Sequence, residues 1–411
     1  PVVEPMVEPE SVVEPMVEPE PASIVGPVIH DADYIVEKIA TGLSYPTTMA
    51  FVGEDMLVLE KYTGKVIRIQ DNGVAYIQPV LDVAVEAGNE AGLLGIVSIS
   101  DHVFLYFSES ESGFDTSNRH DQPIKNMVYR YDWDGENLTN PVLIKELPGN
   151  LNGDHRHNGG AMAVGQNDEV YFVIGDLSQE GIFQNRITST NAFETGSIFK
   201  ADTQNNNVEL FAMGIRNSFG LAVDPVTGYL WQTENGPSYL DEINLAEAGF
   251  NSGWKSVMGP VDKTYPSGPE ISDQVLPEKF EDFVYSEPEF TWYETVGPTA
   301  IEFPVGDSFR KYSDWLFTGD INNGRIYKFQ LNADRTGFVF SSPELSDLVL
   351  DTNDPLDENL FASAFPGGVT DIEFHNDVMY VVSFLNGSVY AIYSKELQSD
   401  NEEAKSEMLK L

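Results

Sequence analysis

The sequence predicts an all-β protein: a six-bladed β-propeller of four-stranded antiparallel blades, preceded by a disordered Pro/Glu-rich N-terminal tail. Three observations carry this. A meander of short alternating apolar strands recurs along the chain, no helix-period stretch separates the copies, and a composition 41% hydrophobic and 11% aromatic supplies a core that disordered chains lack.

The N-terminal stretch comes first. Residues 2–11 (V-V-E-P-M-V-E-P-E-S) recur almost unchanged as residues 12–21 (V-V-E-P-M-V-E-P-E-P). Proline every few residues forbids helix and ladder pairing and the glutamates repel, so residues 1–29 are expected to form an extended spacer or a dispensable tail. From there the meander takes over. It reads T-T-M-A-F (47–51), M-L-V-L (56–59) and G-K-V-I-R-I (64–69) in its first copy. It returns at 161–164 with 170–173, at 220–223 with 229–232, at 299–303 with 315–318 and 324–329, and at 369–374 with 379–382 and 387–392. The unit is roughly 60 to 75 residues of antiparallel meander, and the long interval between Met49 and Met162 leaves room for a further copy around Leu93 to Tyr131. Such repeats favour a closed ring over the alternative of two stacked sandwiches, because closure removes exposed edges. The ring is expected over residues 30–394, and residues 395–411 as a C-terminal tail or short helix.

Sixty-six Asp and Glu against twenty-three Lys and Arg give a formal charge of −43. A surface of that sign repels phosphate backbones and anionic lipid, which excludes nucleic-acid binding, and it attracts Ca²⁺ wherever several oxygens converge. Cysteine is absent, which rules out disulfides, thiolate zinc sites and a cysteine nucleophile. No run of eighteen apolar residues exists, so membrane insertion is not expected. A start at Pro1 without a signal-like apolar run is expected of a mature secreted chain or a trimmed one, and sequons at Asn137 and Asn386 permit glycosylation. The localisation expected is extracellular, periplasmic or cell-surface.

The stretch 152–176 holds His155 and His157, a glycine pair, an apolar strand and a Gly-Asp ending. A turn at 165–169 brings the strand back antiparallel, so His157 and Asp176 are expected to face one pocket. The alternative is a surface histidine cluster beside an ordinary hairpin. In a propeller the loops at one end of the innermost strands enter the channel, and there fall His157, Asp176, Arg216 with Asn217, and the run Glu234 to Pro237.

These residues resemble a known family, the soluble PQQ-dependent sugar dehydrogenases of the glucose/sorbosone and aldose group. The resemblance rests on G-N-E-A-G-L-L-G (88–95), H-N-G-G (157–160), I-G-D (174–176), G-I-R-N-S-F-G-L-A-V-D-P-V-T-G-Y-L-W (214–231), E-N-G-P-S-Y-L-D-E-I-N (234–244) and G-F-N-S-G-W (249–254), and extends over residues 34 to about 393. It implies His157 as general base, Asp176 as the carboxylate that orients it, and Arg216 as the cation at the developing quinol oxyanion. It implies cofactor contacts from Asn217 and Thr295, with Glu90 at the position of a family glutamine. The backbone carbonyls of Gly236 and Pro237 would hold the cofactor's Ca²⁺, and Asp241 and Glu242 a second, structural Ca²⁺ or simply a solvated acidic loop.

Three positions depart from the pattern. Asn322 stands where the family has a lysine, and Gly368-Val369-Thr370-Asp371 replaces an Arg-x-Arg-Asp segment, so Asn322, Gly368 and Thr370 carry no charge toward PQQ, a trianion. Each lost charge-assisted bond is worth about 1.5 to 3 kcal/mol, and Arg156 and Lys255 are the nearest cations expected to compensate. The function implied is oxidation of an aldose at C1 to a lactone, with PQQ and Ca²⁺ as cofactors, a small sugar and an external electron acceptor as partners, and a monomeric or homodimeric state. The alternative is a non-catalytic, Ca²⁺-binding propeller that recognises a carbohydrate or protein at a cell surface.

Overall fold

A computed structural model describes residues 26–70, 79–116, 125–149, 155–178, 194–205, 207–261 and 282–398. Residues 1–25 of the expected spacer and 399–411 of the expected tail lie outside that range.

The first copy of the meander shows how the repeat becomes a sheet. Strand Pro46–Val52 pairs antiparallel with Asp55–Glu60, which pairs with Lys65–Ile69, which pairs with Leu81–Asp82. Alternate residues Leu57 and Leu59 face one side of the sheet and Met56 and Val58 the other, and all four are buried because a neighbouring sheet covers each face. Gly64 makes the second turn at φ 63°, and a Cβ there would sit 1.8 Å from the Val83 carbonyl oxygen, so no other residue fits.

Six such sheets form among the described residues. Their first strands are Pro46–Val52, Leu93–Ile99, Met162–Val164, Gly220–Val223, Pro298–Glu302 and Val369–His375. Each packs beside the next and the last packs beside the first, so the strands encircle a channel in a β-propeller arrangement. The ring is latched by its two ends: strand Tyr34–Thr41 pairs antiparallel with Ser388–Ser394 and completes the last sheet.

Three sheets have four strands and three have more. The extra strands are short and lie at outer edges: Phe250–Asn251 with Val284–Tyr285 on the third sheet, Val349–Leu350 on the fourth, Val28–Ile29 on the fifth. They cover edges that would otherwise stay unpaired. The spacer drawn to residue 29 therefore overruns a strand, because the apolar pair after Pro27 has an edge at Ser363 and Ala362 to complete. The last strand ends at Ser394, and residues 395–398 are helical.

The fourth and fifth sheets share an aromatic core of Trp231, Phe290, Trp292, Tyr327 and Phe329. At its rim Arg335 donates Nε to Asp224 Oδ2 at 2.6 Å and Nη2 to Oδ1 at 2.9 Å, both side chains buried. Burial would raise the Asp224 pKa, but the bonds from Arg335, the Val226 amide and Thr227 outweigh it and hold the group ionised. Removing one partner of a buried pair leaves the other charge uncompensated. Arg335→Met is therefore expected to lower the unfolding free energy by about 3 kcal/mol in a denaturant titration; a loss under about 1 kcal/mol would show the pair to be peripheral.

The channel itself is acidic. A cavity of about 260 Å³ is lined by Glu302, Asp371, Glu373 and His375 among apolar inner-strand residues. Asp371 accepts the Met49 amide at 2.7 Å and Glu302 its own neighbour Phe303 at 2.8 Å. Burial pushes Glu302 up to about 8 and Asp371 to about 7; Glu373 rises well above its ordinary value through burial and the charges of Glu302 and Asp371. Carboxyls with raised folded-state pKa values contribute stability that is complete at low pH and is lost as pH rises through about 7 to 8. The melting temperature at fixed ionic strength is thus expected to fall between about pH 5 and pH 8, and Glu373→Gln to flatten that fall. An unchanged slope in the variant would place the pH dependence elsewhere.

Candidate functional site

The third sheet builds the site. Strand Met162–Val164 pairs with Glu169–Ile174, Met162 opposite Phe172 and Val164 opposite Val170. Beyond the register the Gly160 amide still donates to the Val173 carbonyl, so the chain entering the hairpin and the chain leaving it stay side by side. His157 and Asp176 then face each other, with Nδ1 and Oδ1 2.6 Å apart. The Trp254 indole donates to Asp176 Oδ2 at 2.7 Å, and the Ser178 amide to Oδ1 at 2.9 Å.

Burial alone would raise the Asp176 pKa, yet the bonds from His157, Trp254 and Ser178 outweigh it and hold it below the usual value. An ionised carboxylate only accepts, so His157 Nδ1 carries the hydrogen and Nε2 is left as a base. The His157 backbone is left-handed at φ 58°, and its amide is held in that conformation by Glu90 Oε2 at 2.6 Å. The same oxygen accepts the Asn217 side-chain amide at 3.0 Å, tying the second sheet's loop to the third's and fourth's.

Arg216 is fixed at both ends. Its amide donates to Glu234 Oε1 at 2.6 Å, Nη1 donates to the Asn235 carbonyl at 2.8 Å, and the guanidinium lies 5.3 Å from the centre of a Trp254 ring. Burial lowers its pKa against the pull of Asp176, Glu234, Glu90 and Asp241, but from so high a starting point that it stays charged. Arg216 Nε and Asn217 Oδ1 are buried with no hydrogen-bond partner among the described residues.

All this borders one cavity of about 480 Å³ at the channel mouth. His157, Arg216, Glu90, Asn217, Thr295, Asn322 and Thr370 line it, as do Gly236 and Asp241. Asp176 stands behind His157; Pro237 and Glu242 are off the wall. Thr370 donates to the Pro46 carbonyl at 3.2 Å, and the Asn322 side chain reaches the Thr295 carbonyl at 3.5 Å.

Asp241 and Glu242 lie on strand Tyr239–Leu245 and are buried, so they form no solvated loop, and their oxygens are occupied. Asp241 Oδ1 accepts the Gly236 amide at 2.8 Å, and Oδ2 accepts the amides of Val296 and Gly297 at 2.7 and 2.8 Å. Glu242 accepts the Gly259 amide and the Asn244 side chain. Both carboxylates thus tie loops together, and no three His, Asp or Glu side chains among the described residues converge as a metal cluster. The turn closes tightly on Gly236: a Cβ there would lie 2.0 Å from the Tyr239 carbonyl oxygen and 2.8 Å from that of Leu240. Burial pushes Glu234 up to about 7 and Asp241 to about 6, and burial with the Glu234 charge raises Glu242 well above its ordinary value. Hard oxygens under such negative pressure suit a hard divalent cation.

Two compensating cations were expected, and one reaches the cavity: Arg156 lines it, whereas Lys255 is exposed and away from the wall. Sequence reasoning missed Lys61, which does line it. The available signal was positional, since E-K-Y-T-G (60–64) and D-I-N-N-G (320–324) are the same turn in two copies. Gly368 has φ 88° and a Cβ there would lie 2.3 Å from the Ile321 carbonyl oxygen, so the backbone at this position has no room for an arginine side chain.

Residues 43–348 match the model of a family described as glucose/sorbosone dehydrogenase. The chain belongs to that family. The chain is 26% identical over 259 residues to quinoprotein glucose dehydrogenase B of Acinetobacter calcoaceticus, covering 54% of this chain and about half (52%) of that one. It is 22% identical over 317 residues to aldose sugar dehydrogenase YliI of Escherichia coli K12, covering 73% and 81% of the two chains. Its fold is similar to the apo form of a soluble aldose sugar dehydrogenase from Escherichia coli, with a TM-score of 0.66 at 18% identity over 88% of this chain and 100% of that one. A PQQ-bound aldose sugar dehydrogenase from Streptomyces coelicolor gives 0.62 at 19% identity over 88% and 99%. The chain is an oxidoreductase, a sugar dehydrogenase.

Gly175 keeps the hairpin arms at their working distance: a Cβ there would lie 2.4 Å from the His157 carbonyl oxygen and 2.8 Å from that of Arg216. Gly175→Ala is expected to cost about 1 to 3 kcal/mol of stability and to separate His157 from Asp176. An unchanged melting curve would show the loops to be softer than this packing implies.

Proposed function

We propose that this sugar dehydrogenase is an extracytoplasmic quinoprotein that oxidises an aldose at C1 to the lactone, on a six-bladed ring, with PQQ and Ca²⁺ as cofactors. The observation that carries the reading is the His157–Asp176 pair, 2.6 Å apart and set with Nε2 as the base on the wall of the cavity. The donor set supports PQQ: a cavity of about 480 Å³ that presents Lys61, Arg156 and Arg216, with Arg216 Nε a donor left without a partner among the described residues, suits a flat trianion rich in acceptor oxygens. The carboxyls of Glu234, Asp241 and Glu242 around the 236–240 turn support Ca²⁺ beside it. The cavity's volume suits a small sugar as partner, and no helix among the described residues is long and apolar enough to cross a membrane.

PQQ, when bound and polarised by Ca²⁺, supplies the quinone that accepts a hydride from C1. The protein's part is proton transfer and positioning. His157 Nε2 takes the C1 hydroxyl proton as the carbon–oxygen double bond forms, and Asp176 stabilises the imidazolium that results. Arg216 offers a fixed positive charge where negative charge develops on the acceptor, and its position is held by Glu234, Asn235 and Trp254. Asn217 and Thr295 bind and orient; Glu90 keeps His157 and Asn217 in register. Gly236 and Pro237 would hold the cation through their carbonyls, with Asp241 and Glu242 bracing the loop.

Reconstitution with PQQ and Ca²⁺ is expected to give aldose-dependent dye reduction. His157→Ala is expected to lower kcat by about 10² to 10⁴ while PQQ affinity stays within a few-fold, because the loss falls on proton transfer. No dye reduction by the wild-type protein with any aldose would refute the reading.

A further inference from the structure

Lys61 closes the turn after strand Asp55–Glu60 and is 6% exposed, yet it lines the site cavity. Its backbone is pinned between two sheets: its amide donates to the Tyr45 carbonyl at 3.2 Å, and its carbonyl accepts the Leu93 amide at 3.0 Å. Gly92, at φ 140°, makes room for the side chain, since a Cβ there would lie 2.9 Å from Lys61 Cγ. The ammonium donates to the Asn89 carbonyl and sits 4.0 Å from the centre of the Tyr62 ring. Among the described residues no ion pair is formed by Lys61. Glu60, its neighbour, turns away to Ser44 and Thr63. Glu90 is close enough to act through its charge, but Oε2 is committed to His157 and Asn217.

A buried ammonium held by one carbonyl and one ring is costly unless an anion completes its shell. We infer that Lys61 is the cation that pairs with a carboxylate of the quinone in this chain, in a cavity whose wall also carries the uncharged Asn322 and Thr370. The inference rests on the quinoprotein reading. Burial lowers Lys61 to about 7 against the charge of Glu90, and a ligand carboxylate would raise it again. Below pH 7 the ammonium is already charged and pairing needs no proton. Above it, binding must take up a proton, so affinity falls as pH rises, up to tenfold per unit. The other charged groups facing the cavity are Glu90, Arg156, His157, Arg216 and Asp241, and they are common to all variants below.

The test is PQQ binding, followed by absorbance and calorimetry in the presence of Ca²⁺ at matched ionic strength, at pH 6.0 and 8.5. Lys61→Met is expected to weaken PQQ about 10- to 100-fold at pH 6.0 and to lose the part of the pH dependence that Lys61 causes. Its ligand-free melting temperature should be unchanged or higher, since an uncompensated charge is gone. Lys61→Arg, whose charge does not titrate, should bind more tightly than wild type at pH 8.5. If the wild type binds PQQ and Lys61→Met binds it equally well with the same pH profile, the inference fails and the quinoprotein reading stands. If Lys61→Met does not fold, Lys61→Arg decides: no gain at pH 8.5 overturns the inference. If the wild type takes up no PQQ, the reading falls and this inference with it.

Discussion

The pairing of Tyr34–Thr41 with Ser388–Ser394 is the constraint on which everything at the site depends. The cavity draws residues from turns that lie hundreds of positions apart, and a ring with one open seam would leave them free to spread. The seam is sealed on the inside as well: Thr370 donates to the Pro46 carbonyl and the Met49 amide to Asp371, joining the last inner strand to the first. Loop closure over so long a chain is entropically expensive, but its cost grows only slowly with length, and a full ladder with buried faces offsets it. Closure also leaves the innermost strands no freedom of register. A slip of one residue would turn Glu373 and Asp371 into the sheet interior and Ile372 into the channel.

Electrostatics then decide what the channel tolerates. In a chain of formal charge −43, carboxylates gather at two levels of the axis, Glu302 with Asp371 and Glu373 at one and Glu234 with Asp241 and Glu242 at the other. The lower group meets burial by holding protons. The upper group is arranged around Arg216, whose guanidinium cannot give up its proton and so fixes a positive charge beside acids that can. Most oxygens of the upper group accept backbone amides, which makes them structural ties; their charge still makes the turn at Gly236 attractive to a divalent cation.

How much of this was legible in the sequence depends on how local each cause was. Period-two alternation and glycine-started third strands are local, and the strands lie where the copies were read, within a residue or two. The His157 and Asp176 juxtaposition was legible because a single hairpin creates it. The added edge strands were not, since Phe250–Asn251 and Val28–Ile29 carry no pattern of their own and exist because a distant edge stands ready to pair. Lys255 looked a nearer cation than Lys61 by proximity to the G-F-N-S-G-W segment, but proximity along the chain does not say which way a turn faces. The turn following the second strand of a blade does face the cavity, and Lys61 sits on one. Gly368 shows the converse limit: a change of residue type read as a lost charge is, in three dimensions, a backbone at φ 88° pressed against the Ile321 carbonyl.

Glu90 and Lys61 belong together in this account. A carboxylate in place of the family's glutamine adds a negative charge beside the cofactor cavity, which taken alone repels an anionic ligand. Its oxygen is nevertheless needed, because it holds the strained His157 backbone and the Asn217 amide at once. A charged acceptor makes both bonds stronger than a neutral amide oxygen would, by roughly a factor of two in bond strength. The charge it brings raises the proton affinity of Lys61 on the adjoining wall, opposing the effect of burial. One residue thus tightens the base's backbone and helps keep a buried ammonium charged, so the acid that weakens the pocket's field at one point supports it at another.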